Sequence, residues 1–125
     1  MRIEVKGRNL QVTDELREVV AKRFEKVDKQ VSELATLEVE LAEERNPANP
    51  DQMVAEATLY LKGVTLRAKD ASPDSKHSIH LVADELARQV KRHRDKRRRR
   101  REQRAGAAQG SQPLGEAEGG AATAF

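Results

Sequence analysis

Apolar residues in this chain recur at every second position, then every third or fourth, then every second again, and each period admits only one kind of element. Ile3 and Val5 alternate with Arg2, Glu4 and Lys6, the pattern of a strand with one buried face. Thr13 has the chemistry of a helix N-cap, and Asp14 and Glu15 after it suit the positive end of a helix dipole. Leu16, Val19, Val20, Phe24, Val27 and Val31 then form one apolar stripe along a first helix. Period two returns at Leu37, Val39 and Leu41, with Glu38 and Glu40 between them. The run Asn46-Pro47-Ala48-Asn49-Pro50-Asp51 is rich in turn formers and predicts a loop. Ala55, Ala57, Leu59 and Leu61 mark another strand, Gly63 a tight hairpin turn, and Val64, Leu66 and Ala68 the last strand. Ser72, with Pro73 and Asp74 behind it, reads as the N-cap of a second helix. Its stripe is Ile79, Val82, Leu86 and Val90, widened by Ala83 and Ala87. Beyond Val90 the stripe stops, while helix-forming Arg and Lys continue to about Gln103.

The order is β-α-β-β-β-α, an α+β fold. A four-stranded sheet with two helices packed on one face buries every stripe once. The first helix is long enough to cross over, so the first two strands pair in parallel and the rest form an antiparallel meander. Leu16, Phe24, Val27, Leu41, Leu59, Leu66, Ile79, Leu86 and Val90 are the expected core. This reading makes residues 1–104 one domain. Residues 105–125 hold seven alanines, five glycines and one proline, so they are expected to be a disordered tail or linker. The chain has no cysteine, which excludes disulfides and thiolate metal sites. No apolar run approaches the roughly 20 residues that span a bilayer, and the opening MRIEVKGRNL lacks the apolar core of a secretion signal. A soluble cytoplasmic protein with no membrane partner is expected.

Charge is strongly segregated. Residues 1–87 carry 13 Lys or Arg against 17 Asp or Glu, whereas residues 88–104 carry 11 against 2. Positive charge focused in RQVKRHRDKRRRRREQR implies a polyanionic partner, since arginine forks bind phosphate oxygens in pairs. A solvated helix end is the plainer reading of that run, but like charges so close repel and need counterions. On the first helix, Lys22, Lys26 and Lys29 stand at i, i+4 and i+7, with Arg23 beside them. Taken alone they could be surface ion pairs, Lys22 with Glu18 and Lys29 with Glu25. The aromatic residues are Phe24, Tyr60 and Phe125. Tyr60 is the one candidate stacking platform, too few for a single-strand reader, so backbone and shape of structured RNA are the expected targets. His77 and His80, with Asp84 one turn on, make at most half a metal site. No phosphate-cradling GxxxxGK and no nucleophile–base signature is present. No enzymatic activity, metal, cofactor or small-molecule substrate is expected.

With Gly7 and the segment VTDELREVVAKRFEKVDK (residues 12–29), the opening resembles the first strand and helix of the hibernation-promoting factor and ribosome-associated inhibitor A family, also called the sigma-54 modulation protein family. LARQVKRHRDK (residues 86–96) is similar to that family's basic second helix, and Asp74 and Asp84 fit the same helix. The resemblance covers about residues 1–98. It implies a domain related in shape to double-stranded RNA-binding domains. It also implies binding to ribosomal RNA of the small subunit where messenger and transfer RNA lie, inhibiting translation in idle bacterial ribosomes. A monomer is expected when the protein is free. On matched positions the implied contacts are Arg23, Lys26, Arg88, Lys91, Arg92, Arg94 and Lys96. Charge placement adds Lys22, Lys29, Arg97 and Arg98, with the run continuing to Arg101.

This chain departs from the family in three places. Lys76 stands where an aromatic residue is frequent, His80 where an acid is, and the arginine run is longer. Long members carry a second domain that joins two ribosomes. A short-type factor and a long-type one cut within its linker both fit this sequence. A structured-RNA-binding protein acting away from the decoding site is the competing function. Deleting residues 105–125 is expected to leave the melting temperature nearly unchanged, because no large apolar contact is lost; a thermal denaturation scan of the shortened chain checks this.

Overall fold

Cross-strand register sorts the sheet into rows that point to opposite faces. One row reads Ile3, Leu37, Leu59, Leu66 and another Val5, Val39, Ala57, Ala68. Between them, on the other face, lies Glu4, Glu38, Thr58, Arg67, followed by Lys6, Glu40, Glu56, Lys69. A slip of one residue would exchange these faces, so burial of the apolar rows fixes the register. The computed structural model describes residues 1–110, with side chains described through Ala105. Its strands are β1 (Arg2–Arg8), β2 (Thr36–Glu43), β3 (Met53–Leu61) and β4 (Val64–Ser72), in the spatial order β1-β2-β3-β4. β1 and β2 pair in parallel; the other two pairings are antiparallel.

Among the described residues there are three helices: α1 (Asp14–Arg23), α2 (Glu25–Asp28) and α3 (Ser75–Gly110). Thr13 caps α1 as expected, its hydroxyl accepting the Leu16 N–H at 3.2 Å. The expected single first helix is interrupted at Phe24, whose ψ is 7°. The Phe24 carbonyl there accepts from both Val27 and Asp28, at 3.1 and 3.0 Å, a local tightening that leaves the phenyl ring fully buried. The start of α3 also shifts. Ser72 ends β4, and the cap is Asp74, whose carboxylate accepts the His77 N–H at 3.3 Å. Ser72 instead meets Ser78 at 2.7 Å beneath the helix, and the Ser78 hydroxyl donates to the Met53 carbonyl at 2.6 Å. That contact satisfies buried hydroxyls and ties α3 to β3.

The unit Met1–Lys91 holds the sheet, α1, α2 and the first part of α3. Its core joins Val20, Phe24 and Val27 with Leu37, Val39, Leu41, Leu59, Ile79, Val82, Leu86 and Val90. Two expected core residues, Leu16 and Leu66, are only partly buried against it. Glycine is required at two positions, one inside β1 and one in a turn. A Cβ at Gly7 would sit 2.1 Å from the Leu10 carbonyl oxygen, and Gly63 turns the β3–β4 hairpin with φ +83°. The second unit begins at Arg92 and contains the rest of α3. The helix does not stop near Gln103. It runs through 105–110, part of the expected tail, where alanines favour it; residues 111–125 of that expected tail lie outside the described residues. Among the described residues no helix is long and apolar enough to cross a membrane.

Leu86 is fully buried. Leu86→Ala should therefore destabilise the domain by about 2–5 kcal/mol in urea or guanidinium melts. A loss below about 0.5 kcal/mol, within the range of ordinary surface substitutions, would place this side chain outside the core.

Candidate nucleic-acid interface

Because Val20, Phe24 and Val27 face the sheet, the positions between them must face outward. Lys22, Arg23, Lys26 and Lys29 are all exposed. Together with Glu25 they line one shallow depression. Arg23 also borders a second depression with Asp74, Lys76, His77 and His80. The end of α1 is thus brought beside the first turns of α3, an adjacency that no local pattern predicts.

Cross-helix ion pairs hold this arrangement. Lys26 donates to Asp84, whose other oxygen lies 3.3 Å from His80 Nε2. Lys76 reaches Glu15 at 2.6 Å. Hydrogen bonding from Lys26 holds the Asp84 carboxyl below the usual carboxylate range, outweighing the partial desolvation that would raise it; Lys26, His80 and Arg88 add favourable charge. The Glu15 hydrogen bond and charge likewise raise Lys76 above the ordinary lysine value. The surface pairs Lys22–Glu18 and Lys29–Glu25 do not form, and Lys22, Arg23 and Lys29 have no ion pair within 4.0 Å among the described residues. These three are the cations of the patch that remain available to an external anion.

On α3, Arg88 pairs with Glu85 at 2.7 Å, one turn back. Gln89 anchors the same segment by donating to the Arg67 carbonyl at 2.8 Å. Lys91 is exposed. In the second unit Arg92, Arg94, Lys96, Arg97 and Arg98 are exposed as well, and Arg98 lies 3.8 Å from Asp95. The two histidines stack at 6.4 Å between ring centroids, and His80 is directed to Asp84. Tyr60 is 41% exposed but donates its hydroxyl to Glu38 at 3.2 Å, on the sheet face away from the helices.

Sequence reasoning named Lys26 as an anion contact but missed that Asp84 and Glu15 bridge the helices. The only legible hint was Asp84 at helical spacing from His80, which gives no information about α2. Lys76 and His80, two of the three departures expected from the resemblance, are both partners in these bridges.

Residues 3–98 match the family model described as sigma 54 modulation protein / S30EA ribosomal protein. A ribosome hibernation promotion factor of Picosynechococcus is 33% identical over 97 residues, covering 77% of this chain and 50% of the relative. A ribosome hibernation promoting factor of Escherichia coli is 30% identical over 96 residues, covering 77% and 96%. The chain thus spans half of one relative and nearly all of the other. The crystal structure of the Thermus thermophilus Protein Y N-terminal domain is similar with a TM-score of 0.64 and 28% identity, over 74% of this chain and 99% of that one. A ribosomal subunit interface protein from Coxiella burnetii has the same fold, at TM-score 0.64 and 19% identity.

A group whose pKa is lowered by folding stabilises the fold above its unfolded value, and that stability is lost as pH falls through the folded value. Asp84→Asn should therefore flatten the acid side of the stability curve, below the ordinary aspartate value of about 4. The loss at neutral pH should stay under about 1 kcal/mol, because both partners are more than a third exposed to screening solvent. Urea midpoints measured from pH 7 down to pH 3 check this; superimposable curves would mean that the Lys26–Asp84 pair does not form in solution.

Proposed function

The chain belongs to the sigma 54 modulation protein / S30EA ribosomal protein family, and from that premise we propose that it is a ribosome hibernation factor. It docks on the small ribosomal subunit in the decoding region, occupies the path of messenger and transfer RNA, and acts by occupancy alone, with no bond made or broken. Binding a bacterial ribosome puts its site of action in the cytoplasm. The observation that carries this reading is the set Lys22, Arg23 and Lys29: exposed cations at the end of α1 and just past α2, unpaired among the described residues, that line one depression. That surface lies within the stretch shared with relatives named for ribosome hibernation.

Lysine and arginine on a fixed helix bind phosphates in a defined array, which reads RNA shape rather than base sequence. Lys26 contributes with its remaining N–H donors while Asp84 orients it. Arg88, Lys91, Arg92, Arg94, Lys96, Arg97 and Arg98 supply further backbone contacts along α3. The scarcity of exposed rings agrees with this mode, since Tyr60 is held by Glu38.

Purified protein should co-sediment with small subunits, and messenger plus initiator transfer RNA should displace it. Replacing Lys22, Arg23 and Lys29 with glutamine should weaken binding and make the log–log salt dependence shallower by about two to three, one counterion set per lost phosphate contact. Binding that survives this replacement with the same salt slope would move the docking surface elsewhere. Binding that messenger and transfer RNA do not displace would favour an RNA-binding role away from the decoding site.

A further inference from the structure

Five consecutive arginines, Arg97 to Arg101, cannot all face one partner on an α-helix. Successive side chains are turned by about 100°. The helix from Arg92 onward is nevertheless ordered in its charge. Arg94, Arg98 and Arg101 stand at i, i+4 and i+7 and cover about 60° of the circumference. Arg92, Lys96 and Arg99 repeat the same spacing, centred about 160° away. All six side chains are exposed. Asp95 and Glu102 fall within about 20° of each other in one of the gaps between these stripes, and Arg97 and Arg100 lie in the other. Among the described residues, Arg98 with Asp95 at 3.8 Å is the one ion pair that any of the six makes. The family match ends at residue 98, so Arg99, Arg100, Arg101 and Arg104 lie outside it.

We propose that this helix binds two RNA phosphate backbones at once, one along each stripe. The inference rests on the reading that structured RNA is the partner, and deepens it. A helix with its side chains is about 10–12 Å across, so a single backbone lying on one stripe leaves the opposite stripe uncompensated. Within each stripe the like charges are one turn apart and repel. A row of phosphates relieves that repulsion, and arginine forks accept it in pairs of hydrogen bonds. The acidic strip of Asp95 and Glu102 separates the stripes along one side of the helix, because a backbone is repelled there, while Arg97 and Arg100 continue the positive charge along the other. Two backbones on either side of a groove widened by a bulge or internal loop, or two adjacent strands of folded RNA, present charge on both sides of an inserted helix; the regular A-form major groove is too narrow for it.

Salt dependence of binding by the full-length chain to a short RNA hairpin carrying an internal loop, which widens the groove, tests this. Two variants remove one stripe each: Arg94→Gln with Arg98→Gln and Arg101→Gln, and Arg92→Gln with Lys96→Gln and Arg99→Gln. Glutamine keeps helix propensity close to that of arginine, and far-ultraviolet circular dichroism verifies the helix. A control removes three exposed cations elsewhere: Arg45→Gln, Lys62→Gln and Lys69→Gln. Simultaneous use predicts that each stripe variant lowers the log–log slope by about two to three, and the combined variant by about twice that, while the control keeps the wild-type slope. If one stripe variant matches the control, the helix is one-sided and the proposal is wrong. If both match it, the stripes are used alternately or not at all, and the proposal fails equally. Small-subunit co-sedimentation separates this from the functional reading. A wild-type protein that binds the hairpin through both stripes but ignores the subunit overturns the ribosomal reading alone. One that binds the subunit while a stripe is silent overturns the two-backbone proposal alone.

Discussion

Everything in the first unit depends on covering one face of the sheet. Leu37, Val39 and Leu41 on β2 and Leu59 on β3 are essentially inaccessible, and burying each such side chain contributes about 1.5–3 kcal/mol. Alanines at 55, 57 and 68 leave volume on the same face. Bulkier helix side chains, Phe24 the largest among them, occupy the core with these alanines. Once the apolar stripes of α1, α2 and α3 are committed inward, their lysines and arginines have nowhere to go but solvent. The cationic surface is therefore a consequence of the core.

Charge then divides that surface. Lys26 and Lys76 are held by Asp84 and Glu15 across the helix junction, whereas Lys22, Arg23 and Lys29 stand free of ion pairs among the described residues. Pairs this exposed add little stability individually. Their structural effect is orientation: they tie the first turn of α1 and the middle of α2 to α3, on either side of the unpaired cations Lys22 and Arg23. His80 sits on the same carboxylate, so Asp84 holds two partners, Lys26 and His80.

The sheet's other face follows a different rule. Its rows mix acids and bases, with Glu38, Glu40 and Glu56 on the central strands and Arg2, Lys6, Arg67 and Lys69 on the edges. Edge cations discourage pairing with another sheet, and the mixed face lacks the single sign that would attract RNA. The arginine helix has that single sign around most of its circumference, with a gap at Asp95 and Glu102.

Much was legible from local pattern alone. Side-chain period distinguishes strand from helix because pleat and helix turn impose different repeats, so the β-α-β-β-β-α order and the parallel first pair followed from spacing and crossover length. Thr13 as a cap and Gly63 as a turn followed from single-residue chemistry. The misreadings lay where a contact distant in sequence overrode local preference. Phe24 breaks the first helix where its ring is drawn into the core. Ser72 is engaged by Ser78, whose hydroxyl is anchored on the Met53 carbonyl, which leaves Asp74 to cap α3. Periodicity reports which face of an element is apolar but not which neighbour that face meets. Chain spacing therefore determined the elements and the sign of the surface they expose. Only packing decided that Asp84 would lie under Lys26, because the pair is 58 residues apart and exists only once both helices have settled on the same sheet.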